Sequence, residues 1–131
     1  MKQQLAHIAL VVTDYDEAIA FYTGKLNFQL TEDTVMSASK RWVIVTPPGS
    51  ACSLLLAKAA NEQQQSVVGN QTGGRVFLFL HTTDFDNYFQ RLVDLNVKIV
   101  RQPVVETWGK VAVFEDLYGN LWDLIEQRDQ S

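Results

Sequence analysis

The chain has 131 residues, 47% hydrophobic and 20% charged, with a formal net charge of −4 and a pI near 5.0. That length suits one domain, and the acidic balance excludes a nucleic-acid partner, which would need a basic face for phosphates. The single cysteine, Cys52, excludes an intrachain disulfide. No apolar run approaches the roughly 18 residues of a membrane span, so a soluble cytoplasmic protein with no membrane partner is expected.

The first element is the apolar run from Leu5 to Val12. It contains His7, lacks a small-residue cleavage site and leads into Thr13-Asp14, so it reads as a strand and not a signal peptide. A helix follows, with Tyr15, Ala18, Ile19, Tyr22 and Leu26 on one face. Asp14 is placed to cap it, with Glu17 completing a capping box. Three strand-like stretches come next, at residues 28–30, 41–46 and 52–57, with a turn at Pro47-Pro48-Gly49-Ser50. Cys52, beside an apolar strand, reads as a small buried hydrophobe. The polar stretch from Ala59 to Gly74 reads as a linker with room for a helical turn, and Gly73-Gly74 belongs to it rather than to a phosphate cradle.

Past the linker the pattern repeats. Thr13-Asp14-Tyr15-Asp16 returns seventy residues later as Thr83-Asp84-Phe85-Asp86, again after an apolar run, Val76 to Leu80. Phe85, Tyr88, Phe89 and Leu92 form the second helix face, with Asp84 expected to cap it. Leu26-Asn27 returns as Leu95-Asn96, which places the loss of one residue in the second helix. Strands are expected at 98–101, 111–114 and 121–125, with a turn at Tyr118-Gly119-Asn120. The fold class is therefore α+β: two βαβββ modules, residues 4–58 and 75–127, joined by a linker at 59–74 within one domain, 1–131.

One helix covers only one face of such a sheet, so the other face must meet a second unit, a partner or a ligand. Two such curved sheets leave a cleft between them. Strand alternation turns Val76, Leu78 and Leu80 toward the helix and Arg75, Phe77, Phe79 and His81 toward the cleft, with His7, Ala9 and Val11 facing it from the first module. Glu106, Trp108 and Lys110 alternate along one face entering a strand. Phe77, Phe79 and Trp108 suit either stacking on a planar ligand or filling the cleft. Asp123 lies between Trp122 and Leu124 and points opposite them. An inward carboxylate in an apolar cleft invites a cation or a donor; a salt bridge or a solvated rim position is the plainer alternative. No Ser/His/Asp order, Walker loop or dinucleotide fingerprint is present.

The sequence resembles the vicinal oxygen chelate superfamily, the group of glyoxalase I, extradiol dioxygenases, methylmalonyl-CoA epimerase and the fosfomycin and bleomycin resistance proteins. The residues that carry the resemblance are Leu5 through Val12, Asp14 through Tyr22, and Leu26-Asn27-Phe28. Ala112-Val113-Phe114-Glu115-Asp116 with Gly119-Asn120-Leu121-Trp122-Asp123-Leu124 resembles the family's closing hairpin, although Leu117 and Tyr118 stand where its usual Asp-Pro-Asp-Gly-Asn has Pro and the second Asp.

The resemblance implies a divalent metal (Zn, Ni, Mn or Fe), held by ligands on the first and last strands of each module. His7 matches the first-strand position, and Asp123 stands where a glutamate is usual. Phe77 and the Leu54-Leu55-Leu56 stretch occupy the other two positions and offer no ligand. His81 lies four residues from the expected position, roughly 13 Å at the strand rise. Two readings follow: a metal-dependent lyase- or dioxygenase-like enzyme with His7 and Asp123 as a partial ligand set, or a metal-free protein that sequesters a planar, partly apolar ligand against Phe77, Phe79, His81 and Trp108. A homodimer is expected on the same resemblance.

Overall fold

A computed structural model describes residues 1–128. The last three residues of the expected domain, 129–131, lie outside the described part. The element order is β1 (His7–Val12), α1 (Tyr15–Gly24), β2 (Gln29–Val35), β3 (Arg41–Thr46), β4 (Ser53–Lys58), α2 (Glu62–Ser66), β5 (Val76–His81), α3 (Phe85–Asp94), β6 (Lys98–Glu106), β7 (Gly109–Glu115) and β8 (Leu121–Gln127). The chain divides into two compact units, with the boundary between Val68 and Gly69.

Each unit holds one four-stranded mixed sheet, ordered β1-β4-β3-β2 in the first and β5-β8-β7-β6 in the second. In both, the first strand runs parallel to the last and the remaining pairs are antiparallel. The duplication read from Thr-Asp and Leu-Asn is thus a duplication of topology, and it extends to irregularities. Thr31 is the extra residue of a bulge between Leu30 and Glu32, and Val100 is its counterpart between Ile99 and Arg101. Arg41 on β3 reaches Asp16 in the first turn of α1 at 2.9 Å, and Lys110 on β7 reaches Asp86 in the first turn of α3 at 3.0 Å.

In unit 1 the alternation of β1, β3 and β4 sends Leu10, Val12, Val43, Val45, Leu54 and Leu56 to the helix side, where they pack with Ala18, Phe21 and Tyr22 of α1. Phe21 is buried on the helix face where Ile19 was expected; Ile19 is half-buried. In unit 2 the equivalent core is Leu124, Trp122, Ala112 and Phe114 with Phe85 and Leu92 of α3. The Phe114 and Trp122 rings stack with centroids 5.8 Å apart, as their direct pairing across β7 and β8 requires.

The helix starts differ between the units. Asp14 caps α1 as expected, accepting the Glu17 N–H at 2.8 Å. Asp84 does not cap α3 through its side chain; it accepts from the Asn87 amide instead. A carboxylate from β8 takes over, with Glu126 Oε1 accepting the Phe85 N–H at 3.0 Å. The helix ends are alike. Asn27 and Asn96 adopt φ of 63° and 61°, a left-handed conformation that asparagine tolerates better than most residues. Both α1 and α3 have ten residues. The residue expected to be missing from the second helix is missing instead from its exit turn: Phe28 N–H returns to Tyr22 O, whereas Val97 N–H returns to Leu92 O.

Two strands run longer than their sequence patterns. The stretch 28–30 grows into β2 and 98–101 into β6, both edge strands. Pro103 is tolerated in β6 because an edge strand need not donate from every residue. The polar linker contains α2, capped by Asn61, whose Oδ1 accepts the Gln64 N–H. The β7–β8 turn is closed by a buried Asp116, whose Oδ1 accepts from the backbone of Tyr118, Gly119 and Asn120.

Candidate functional site

The face of each sheet opposite its helix is the one left for a ligand, and the register decides which residues populate it. In unit 1, His7 pairs with Ser53, and Ile44 pairs with Leu55 and Glu32. This open face therefore carries His7, Ala9 and Val11 on β1, Leu55 and Ala57 on β4, Trp42 and Ile44 on β3, and Glu32 on β2. Trp42 is its central aromatic. The His7 ring meets it edge-on, centroids 6.1 Å apart at 76°. Its indole N–H donates to Glu32 Oε2 at 3.1 Å, which fixes the ring plane.

A hollow of about 370 Å³ lies at one end of this face. Trp42, Leu55 and Ala57 supply apolar wall, and Lys40, Lys58, Ser39 and Gln64 supply the polar part of its lining. Arg41 also lines it, but its guanidinium is committed to Asp33 and Asp16 at 2.7 and 2.9 Å. Those hydrogen bonds from Arg41 hold the Asp33 carboxyl below its ordinary range.

In unit 2, Phe79 pairs with Asp123 and His81 with Ile125, so these four share the open face. Val113 pairs with both Asp123 and Arg101, which brings the guanidinium to the same face. Burial pushes the Asp123 carboxyl above its ordinary value, and the positive charge of Arg101 pulls against that shift. Lys98 and Glu115 form a further pair at 3.4 Å. A second hollow, of about 640 Å³, is lined by His81, Thr82, Thr83, Lys110, Glu126 and Arg128 among others.

Two expected positions move. Phe77 sits at a register shift between Val76 and Leu78, so it does not continue the regular alternation with Phe79 and His81. Trp108 does not lie on a strand with Glu106 and Lys110. It occupies a two-residue turn closed by the pairing of Glu106 with Gly109, and its carbonyl accepts the Arg128 N–H at 2.7 Å. Lys110 points to the helix side, toward Asp86. Trp42, Glu32, Arg101, Lys40 and Lys58 were not singled out from sequence. The alternation through Arg41–Thr46 carries the signal for Trp42, since it sets Trp42 opposite Val43 and Val45, but an aromatic within an apolar run reads first as core.

Among the described residues the donor set does not make a divalent metal centre. An open catalytic site keeps about three protein ligands, and among the described residues no group of three or more His, Cys, Asp or Glu side chains is arranged to hold a metal ion. The positions equivalent to His7 and Asp123 in the repeat carry Phe77 and Leu55, which have no lone pair to give. His7 is turned to an indole, and the charge acting on Asp123 is a guanidinium. No described helix is long and apolar enough to cross a membrane.

Among similar proteins, an uncharacterized protein of Shewanella frigidimarina (strain NCIMB 400) is 57% identical over 132 residues, covering 99% of this chain and 98% of the relative. The crystal structure of UcmS2 superposes with a TM-score of 0.82 at 29% identity, covering 95% of this chain and 98% of that one. TnmS3, an antibiotic binding protein from Streptomyces sp. CB03234, matches with a TM-score of 0.79 at 27% identity over 97% of this chain and 98% of that one. The model of one family matches residues 4–124. With the repeated βαβββ topology, this places the chain in the Glyoxalase/Bleomycin resistance protein/Dioxygenase superfamily.

Proposed function

We propose that this protein binds and sequesters a planar, partly apolar small molecule, without a metal. The observation that carries this reading is the Trp42 platform: an indole on an open sheet face, locked by Glu32 and flanked edge-on by His7. A half-buried indole held in place is a stacking surface, and its orientation costs little on binding because it is already set. Phe79, at 61% relative exposure, gives unit 2 an aromatic on its own open face. The similarity to an antibiotic binding protein supports the same reading. The proposal includes the two units acting as one domain, a cytoplasmic location and a homodimer; each sheet ends in two edge strands, which favour pairing.

The test is binding of N-phenyl-1-naphthylamine, a neutral planar fluorophore, to untagged protein, with metal analysis on the same sample. Wild type is expected to bind it, and Trp42→Leu to bind about five- to tenfold more weakly at an unchanged fold, the loss expected for one aromatic stacking contact. Stoichiometric metal that disappears in His7→Ala, together with no probe binding, would overturn the proposal. It would favour instead a metal-dependent lyase- or dioxygenase-like enzyme with His7 and Asp123 as partial ligands.

A further inference from the structure

We propose that the unit 1 hollow recognises an anionic substituent on the ligand, holding a sulfonate, carboxylate or phosphate between Lys40 and Lys58 while the flat body lies on Trp42. The inference rests on the binding function proposed above and names the ligand class. Four observations carry it.

The first is composition. The residues lining this hollow include three cations and no carboxylate, in a chain whose net charge is −4. The second is availability. Arg41 is neutralised by Asp16 and Asp33, whereas neither Lys40 nor Lys58 makes a side-chain hydrogen bond or ion pair among the described residues. A smaller hollow of about 250 Å³ that also borders both lysines includes Asp14, but that carboxylate is engaged at the start of α1 by the Glu17 N–H.

The third is the repeat. Arg41 is equivalent to Lys110 through its ion pair with the helix, so Lys40 corresponds to Gly109. Leu56 and Leu124 are equivalent through their pairing with Leu10 and Leu80, so Lys58 corresponds to Glu126. Gly109 and Glu126 have structural duties in unit 2: the first is required by close backbone approach, and the second caps α3. Unit 1 needs neither duty at these places, since Asp14 caps its helix, and it carries a lysine at each. The fourth is the neutral donors beside them. Gln64 uses its Oε1 to accept the Ala60 N–H, which leaves its amide N–H groups to the hollow, and Ser39 adds a hydroxyl. Lysines place point charges without demanding one anion geometry, so the shared chemistry is negative charge on a planar apolar body.

The experiment compares two probes of nearly the same shape on the full chain: 8-anilino-1-naphthalenesulfonate, which is anionic, and N-phenyl-1-naphthylamine, which is not. Wild type should prefer the sulfonate, and that preference should shrink with added salt. The double variant Lys40→Gln, Lys58→Gln should weaken the sulfonate about tenfold, two partly exposed charge contacts together, and leave the neutral probe unchanged. Its melting temperature, expected at the wild-type value, reports that the fold is intact. If the sulfonate binds the variant as well as wild type, or if both probes weaken equally, the anion site is overturned while a neutral-ligand function stands. If neither probe binds wild type, both proposals fall.

Discussion

Asp123 shows how one side chain can be read two ways until its neighbours are known. The sequence places it opposite Trp122 and Leu124, and both are buried to within a few per cent, so the alternation holds. What the sequence does not give is the guanidinium of Arg101, because a bulge at Val100 shifts the register of β6 and moves Arg101 to the face opposite the one simple alternation predicts. Burial raises this carboxyl above its ordinary 3.8. The folded state then holds the proton more tightly than the unfolded chain, so stability falls as pH rises through the interval between the two values and the deficit persists above it. Asp123→Asn removes that deficit. Denaturant midpoints should be higher for the variant than for wild type at pH 7, and the two should converge toward pH 3. An Asp123→Asn protein less stable than wild type at pH 7 would mean that Arg101 outweighs the cost of burial. The helix caps follow a similar division. Asp14 is legible because its acceptor and donor lie three residues apart; Glu126 capping α3 spans 41 residues and leaves no local trace.

At the scale of elements, most of the fold was legible because its signals are periodic or repeated. Strand β3 matches the expected 41–46, and β1, β4, β7 and β8 match within a few residues, since each carries buried apolar residues that mark it in the sequence. Strands β2 and β6 were underestimated for the opposite reason: β2 is exposed along its whole length, so it has no alternation to read. The same exposure hid the turn at Trp108, where Glu106, Trp108 and Lys110 mimic a strand while the backbone reverses. Gly109 makes that reversal possible. Its φ is 152°, and a Cβ there would land on the Glu126 carbonyl oxygen of the paired strand, a conformation and a clearance only glycine satisfies. Gly109→Ala should therefore cost about 3 kcal/mol or more, combining a glycine-only backbone with displacement of β8. Urea unfolding followed by circular dichroism measures it. A cost below about 1 kcal/mol, the ordinary loss for a surface substitution, would show that the β7–β8 pairing gives way there easily.

At the scale of the whole molecule, the repeat conserves what builds a unit and varies what a ligand would meet. The exit-turn asparagines, the bulge at Thr31 and Val100 and the strand-to-helix ion pairs recur in both halves, whereas His7 and Trp42 stand against Phe77 and Val111, and Leu55 stands against Asp123. Each unit has its own buried core between its helix and its sheet. On the faces opposite the helices, resemblance found His7 and Asp123, while nothing local pointed to Lys40 or Lys58, one in a turn and one at a strand end. A sequestering protein has a thermodynamic signature that a catalyst need not share: its ligand binds the folded state, adds to its stability and is recovered unaltered. At a free ligand concentration one hundred times Kd, the gain is about 2.7 kcal/mol, which for a chain of this size raises the melting temperature by roughly 10 °C. Scanning calorimetry with 8-anilino-1-naphthalenesulfonate at that saturation should show the rise in wild type, and mass spectrometry of the released probe should return its original mass. The Lys40→Gln, Lys58→Gln protein, given the same probe concentration, should keep less than the full rise because its Kd is higher. A wild-type transition that does not move at saturation would place the probe on unfolded and folded chains alike, and the open faces would lose their claim to be a binding surface.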